Sequence, residues 1–321
     1  MTRRALVTGA GGFAAQWLER ELLRSGWDVV GIGLGVPPES SVLTAAERAA
    51  VRWLAADVRD GAALARALDE ARPEAVFHLA GIAFVPAAAA DPGETYEVNV
   101  VGAVRLLAEV GRRRRAGDLD PAVVVVGSGE QYGSHPADEL PLRESAAQRP
   151  LTVYAASKAA QEIAALQAAR TDGVRVVATR SFNHSGPGQA AHFLLPALVA
   201  RALEARASGA RTLPVGNQTP VRDYLHVADV ARAYVGLAQR GTPGEAYNVC
   251  SGEGVSVAEL VVTVLQRAGA RADIITDPSL VRSVDLPALV GCPDKLRNDT
   301  GWSPRRTRVD IIDDLIHAQT R

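Results

Sequence analysis

"GAGGFAAQW", residues 9–17, follows directly on the apolar run "RALVT" at 4–8. An apolar strand, a glycine-rich turn and an amphipathic stretch, in that order, build an anion site. The turn gathers backbone N–H groups, and the start of the helix adds its positive end. The glycines fit two frames. Counted as GxGxxG from Gly9, the third glycine falls at residue 14; counted as GxxGxxG, it falls at residue 15; both positions are alanine. Gly9 serves the tight turn, and Gly11 or Gly12 lets the backbone approach a phosphate. The third glycine serves helix–strand packing, where alanine adds only one methyl group. In the GxxGxxG frame Ala15 is therefore tolerable, and the turn is expected to hold a dinucleotide on Gly9, Gly12, Phe13 and Ala15.

Outward from this turn the chain alternates. Residues 12–25 carry Phe13, Trp17, Leu18 and Leu22 near helical spacing. Strand-like runs follow at "DVVGIGLG" (28–35), "VRWLAAD" (51–57), "EAVFHLAG" (74–81), "AVVVVGS" (122–128) and "VRVVATRS" (174–181). Helix-like stretches separate them at 61–71, 95–111 and 151–170, and a loop with Pro37 and Pro38 follows the second strand. Apolar strands alternating with helices predict an α/β fold, a doubly wound parallel sheet of the Rossmann kind. From 182 glycine and proline become frequent, with helices expected at 192–206, 226–239, 256–269 and 307–318. This reads as a smaller α/β substrate-binding lobe. Residues 1–181 with 226–250 form the expected dinucleotide-binding domain, and 182–225 with 251–321 the second lobe. Ligands belong beyond the carboxyl ends of the strands, where Gly9, Asp57, His78 to Gly81, Ser128 and Ser181 to Gly188 stand.

Composition narrows the partners. With 35 Lys and Arg against 36 Asp and Glu, the net charge is −1, so neither nucleic acid nor an anionic membrane is expected. The one basic run, "GRRRRAG" at 111–117, reads as a solvated helix end. Two cysteines, Cys250 and Cys292, have no metal-ligand spacing, and no metal is expected. "MTRR" leads straight into a strand without a leader pattern. These features together predict a cytoplasmic protein.

An acid at the end of the second strand normally bonds the adenine ribose. Gly33 stands there instead, which leaves NADP(H) or NAD(H) open with a lean to NADP(H). Asp57 is a candidate for the adenine amino group, or alternatively the cap of a helix beginning at 58. "YAASK" puts Tyr154 and Lys158 one turn apart on one helix face. An ammonium near a phenol lowers its pKa, and a phenol so tuned can exchange a proton with a carbonyl or alcohol. Ser128, at the end of an apolar strand, can bond the same reacting oxygen.

These motifs, with "FHLAG", Asn99 in "YEVNVVGAVRLL", "SGEQYG" and "RDYLHVADVARAY", fall in one order along the whole chain. In that order the chain resembles the extended short-chain dehydrogenases/reductases acting on nucleotide sugars. Within them "RSFNHSGPGQ" and "RSVDLPALVGCPDKLRNDTGW" look most like the GDP-4-keto-6-deoxy-mannose reductases; the 4,6-dehydratases share much of the frame. The resemblance implies hydride transfer from a nicotinamide to a C4 ketone, with Tyr154 as acid, Ser128 bonding the oxygen and Lys158 on the ribose. It places Asp57, Val58, Leu79, Ala80, Gly81, Asn99 and Ser181 at the cofactor. Glu130 stands where dehydratases carry their C5 base, so it is a catalytic candidate or a substrate-hydroxyl contact. Asn183, His184, Arg222, Arg282 and Asp285 are expected at a nucleotide-sugar substrate, GDP-linked by preference. The family usually reads "GD" where this chain has Gly291-Cys292. The helices at 95–111 and 151–170 are expected to pair with a second copy in a four-helix homodimer. A C4 epimerase, a 4,6-dehydratase and a non-catalytic dinucleotide sensor remain the alternatives.

Overall fold

The computed structural model describes residues 3–35, 42–281 and 285–320. The prolines at 37 and 38 and Arg282 lie outside them. Six strands, β1 (Arg3–Thr8), β2 (Trp27–Gly33), β3 (Val51–Ala55), β4 (Ala75–His78), β5 (Ala122–Ser128) and β6 (Val176–Ser181), join the strand Ala246–Val249 in a seven-stranded sheet. Every pair is parallel, in the order 246–249, β6, β5, β4, β1, β2, β3. This is the doubly wound sheet read from the alternation of strands and helices. The order reverses between β1 and β4, where the separating crossovers open a crevice.

Helices cover both faces. Leu18 and Leu22 of α1 (Phe13–Arg24) pack on one face with Val230, Tyr234 and Leu237 of the helix Val227–Arg240. Leu64, Leu68, Leu106, Val110 and Ala165 cover the other face. Ala15 is buried within the first of these cores, at the contact between helix and sheet. Leu296 and Trp302, late in the chain, also join that core, and the Trp302 indole donates to the Asp229 carbonyl at 3.0 Å. A separate core of Leu195, Leu198, Val261, Leu265, Ile312 and Leu315 sits under the small sheets of the second half. There the strand Val221–His226 pairs with Asn183–Ser185, Gly254–Ser256 and Ala288–Leu289. No helix among the described residues is long and apolar enough to cross a membrane.

Three local readings change. The stretch at 95–111 is not one regular helix. Pro92–Tyr96 runs into a π-helical turn at Glu97–Val101, and an α-helix continues over Gly102–Arg115. The extra residue in that turn rotates Asn99 inward, and its side chain is fully buried. The arginines at 112–115 lie inside this helix, and the run is not merely a solvated end. Arg113 is buried and donates to Glu109 (2.7 Å), Asp118 (3.3 Å), Asp69 (2.5 Å) and the Ala65 carbonyl (3.0 Å), tying two helices together. The helix Gly61–Ala71 is capped by Asp60, which accepts from the Ala62 and Ala63 N–H groups, and not by Asp57. Asp57 instead grips the Arg59 guanidinium at 2.7–3.1 Å, and that bond holds its carboxyl below the usual range.

Candidate active site

The turn at 9–12 is shaped by its neighbours. Gly9 and Gly11 have φ of +70° and +86°, values that favour glycine. A Cβ on Gly9 would also stand 2.7 Å from the Ala80 nitrogen, so β4's exit loop presses directly on the turn. That loop is pinned by Thr8, whose Oγ1 accepts from the Ala80 N–H (3.1 Å) and lies 2.8 Å from His78 Nδ1. Gly12 precedes α1 and offers no side-chain cap. The first N–H groups of the helix therefore face the crevice without a side-chain oxygen of the cap residue, as an anion-binding helix start requires.

The crevice is a cleft of about 420 Å³. Its walls include Gly9, Gly12, Phe13, Ala15, Leu79, Ala80, Gly81, Ser128, Glu130, Tyr154, Lys158, Ser181, Asn183 and His184, all expected from the sequence. Asp57, Val58 and Asn99 stand outside this lining. Val58 packs against Gly102, where an added Cβ would lie 2.8 Å from its Cγ2. The Asn99 amide is spent on structure: Oδ1 accepts from the Ile82 N–H (2.7 Å), and Nδ2 donates to the Ile82 carbonyl (3.1 Å) and Ser157 Oγ (2.9 Å). It clasps the loop after β4 to the helix carrying Tyr154.

That helix, Val153–Asp172, begins at Thr152, whose side chain accepts from the Ala155 N–H at 3.1 Å. Capping there puts Tyr154 on the first turn beside Ser128 at the end of β5. Both side chains line the cleft. Burial pushes the Tyr154 phenol up to about 12, the nearby Glu130 carboxylate adds to the rise, and the Ser128 hydroxyl opposes it. The sequence reading had the lysine lowering this pKa. In the structure the Lys158 ammonium turns instead to the Val126 carbonyl (2.8 Å) and Gln161 Oε1 (2.9 Å), and burial brings it down to about 8. Its Nζ lies 3.3 Å from where a Cβ on Gly81 would be, so a glycine there keeps the lysine in the cleft.

At the far wall Ser181 Oγ lies 2.8 Å from the Tyr234 hydroxyl. His184 stacks on Phe13 with ring centroids 6.1 Å apart and planes 9° from parallel. Its Nδ1 lies 3.0 Å from the Phe182 carbonyl, and burial lowers its pKa, so the ring is neutral near pH 7. Asn183 lines both this cleft and a second pocket of about 180 Å³. Arg222 and Asp285 line that second pocket. They are paired with each other, and Arg222 also donates to the Leu286 carbonyl at 2.7 Å. A smaller recess walled by Val85, Glu130, Arg222, Asp285 and Leu289 joins the two. The sequence reading missed Tyr234, Phe193 and Gln189 in the cleft, Arg201, Asn217 and Tyr224 in the second pocket, and Gln161 behind the cleft, where it accepts from the Lys158 ammonium. Only Gln161 had a signal: it stands seven residues after Tyr154 and three after Lys158, on the same helix face.

The arrangement offers a neutral acid, a hydroxyl and an ammonium at one end of a cleft whose other end is a glycine turn. Its continuation holds a guanidinium. Comparison with known proteins agrees with this layout. Residues 6–315 match the family model described as GDP-mannose 4,6 dehydratase. The chain is 37% identical over 237 residues to the GDP-6-deoxy-D-mannose reductase of Pseudomonas aeruginosa, covering 73% of this chain and 76% of that one. It is similar to the structure of RMD from Pseudomonas aeruginosa complexed with NADPH, with 28% identity, a TM-score of 0.81 and coverage of 98% and 97%. It is also similar to the Thermus thermophilus UDP-glucose 4-epimerase complex with NAD, with 30% identity, a TM-score of 0.81 and coverage of 98% of both chains.

Proposed function

The chain belongs to the GDP-mannose 4,6 dehydratase family of extended short-chain dehydrogenases/reductases; from that premise we propose that it reduces the C4 ketone of a nucleotide-linked 4-keto-6-deoxy sugar, GDP-4-keto-6-deoxy-mannose being the favoured substrate. The observation that carries this reading is the Tyr154 phenol lining one cleft with Ser128 and Lys158, in a chain 37% identical to a GDP-6-deoxy-D-mannose reductase. Reduction of a ketone needs a proton donor at neutral pH, and this phenol is fully protonated there.

The cofactor is NADPH or NADH, which supplies hydride when bound. Gly9, Gly12, Phe13 and Ala15 would take the pyrophosphate end, and Leu79, Ala80, Gly81 and Ser181 the remainder. Lys158 would exchange its bonds to Val126 and Gln161 for the nicotinamide ribose. Ser128 donates to the C4 oxygen as negative charge grows on it, and Tyr154 delivers the proton. The ammonium of Lys158 stabilises the phenolate left behind. Asn183 and His184 would orient the sugar; Arg222, with Asp285 fixing its plane, would hold the diphosphate. Asp57, Val58 and Asn99 support the cofactor cleft from behind. We assign residues 1–181 with 226–250 to the cofactor lobe, and 182–225 with 251–321 to the sugar lobe, whose Leu296–Trp302 stretch anchors on the first core.

Glu130 favours one competing activity. It lines the cleft beside Tyr154, as a C5 base for dehydration would. We also propose a homodimer through Gly102–Arg115 and Val153–Asp172, helices that pack together and expose Val104 (44%) and Ile163 (63%). The test of activity is direct. GDP-4-keto-6-deoxy-mannose should consume NADPH or NADH stoichiometrically, seen as loss of nicotinamide absorbance. No consumption, with GDP-mannose converted without added reductant, would sink the reductase reading in favour of the dehydratase.

A further inference from the structure

Behind the cleft lies a buried polar network that the reaction itself does not use. Glu162 is two turns beyond Tyr154 on the same helix, and Arg180 sits on β6; both are nearly inaccessible. Arg180 donates twice to the Glu162 carboxylate (2.9 and 2.6 Å) and also to the Tyr132 hydroxyl (2.9 Å). Gln148 donates to Glu162 Oε1 at 2.7 Å, and Gln131 donates to Oε2 at 2.8 Å. The other end of the Gln131 amide accepts from the backbone N–H of Ser128 at 2.7 Å. Gln131 is thus a strut with one end on Ser128 and the other on the Tyr154 helix.

The surroundings are built to admit it. Gln131 is fully buried. A Cβ on Gly127 would lie within hard contact of both Gln131 Oε1 and the Thr179 carbonyl, so the glycine clears the strut's path. Glu162 is a fixed anchor because Arg180 grips it with two bonds. The Ser128 side chain is lightly restrained: its Oγ accepts from the Glu130 N–H at 3.2 Å.

We infer that Gln131 is a positioning residue for catalysis: by joining the Ser128 backbone to the Glu162–Arg180 pair, it fixes where the Ser128 hydroxyl stands in the cleft beside Tyr154. The inference rests on the role given to Ser128 above. Misplacing a reacting group by a fraction of an ångström to an ångström costs about 10- to 100-fold in rate. Gln131→Leu is therefore expected to lower kcat about 10-fold or more, with the KM values for cofactor and sugar nearly unchanged.

Gln148→Leu is the control: it removes an equivalent bond to Glu162 and a long 3.4 Å bond from Gln131, and leaves the Gln131 bonds to Ser128 and Glu162 in place. It should lose similar thermal stability and keep kcat within about 2-fold. In a Ser128→Ala background the Gln131→Leu penalty should vanish, because the strut then has no hydroxyl to place. Should Gln131→Leu not fold, Gln131→Glu keeps the acceptor for Ser128 and replaces the donor by an acid. Its activity should approach that of the parent enzyme at low pH, where one proton is shared with Glu162, and fall as pH rises. Equal kcat losses for Gln131→Leu and Gln148→Leu would overturn the inference, as would an undiminished Gln131→Leu penalty without the serine or a flat Gln131→Glu pH profile. Normal turnover of Ser128→Ala alone would instead remove the role of Ser128 on which the inference stands.

Discussion

Restoring the third glycine tests what the alanine at 15 does. Ala15 is 1% exposed and belongs to the core between α1 and the sheet. Ala15→Gly removes a buried methyl group, which loses about 0.8 kcal/mol of burial. It also adds chain freedom at the third residue of α1, which costs about 0.5–1 kcal/mol. The sum is a destabilisation of about 1.5 kcal/mol. Guanidinium unfolding should show it as a lower midpoint at unchanged slope. Binding of NADPH and NADH, titrated by nicotinamide fluorescence, should stay within about 2-fold of the parent protein, because Gly9 and Gly12 make the turn. Unchanged stability together with about tenfold tighter cofactor, about 1.4 kcal/mol, would show that the methyl group obstructs the phosphate and that the packing explanation is mistaken.

Other outcomes follow from the same geometry. Tyr154→Phe should cut turnover by about 100-fold or more while leaving cofactor affinity intact; single-turnover rates near normal would exclude the phenol as acid. Gly33→Asp brings an acid to the end of β2, its Cβ 3.0 Å from the Ala10 carbonyl. The ratio of NADPH to NADH affinity should fall about 10-fold or more, and an unchanged ratio would mean that the ribose does not reach this point. Glu19 is fully buried, neither carboxyl oxygen has a hydrogen-bond partner among the described residues, and burial raises its pKa to about 8. The folded chain therefore keeps a proton that the unfolded chain releases above the ordinary carboxylate pKa. Stability from this group is present at low pH and is lost as pH rises toward 8. Glu19→Gln should match the parent near pH 4.5 and gain about 1.4 kcal/mol per pH unit between about 5 and 8; equal denaturation midpoints at pH 5 and pH 8 would refute it.

The sheet was legible because its strands are short apolar runs closed by turn residues, as at 4–8 and 122–128. The glycine turn, Ser128, Tyr154 and Lys158 were legible because their spacing is fixed by local geometry. What escaped the sequence depends on where side chains point. The π-helical turn at 97–101 adds one residue within a stretch where Val98, Val100 and Val101 are all apolar, so no pattern marks the slip. Asp57 read as a helix cap, but Arg59 claims its carboxylate and Asp60, three residues on, takes the cap. An i, i+4 tyrosine and lysine suggested a lowered phenol pKa, yet Gln161 and the Val126 carbonyl draw the ammonium away. Gln131 sits in a recognisable motif, but only the fold brings Glu162 and Arg180 to its far end.

In the proposed reaction a hydride passes from the nicotinamide to C4 while Tyr154 supplies the proton. NADPH carrying deuterium on the transferred position, incubated with GDP-4-keto-6-deoxy-mannose, tests it most directly. The product is expected to carry one deuterium at C4 and none at C5, with one cofactor oxidised for each sugar formed. A sugar without deuterium at C4, or one that takes up solvent hydrogen at C5 with no net oxidation of cofactor, would contradict the account.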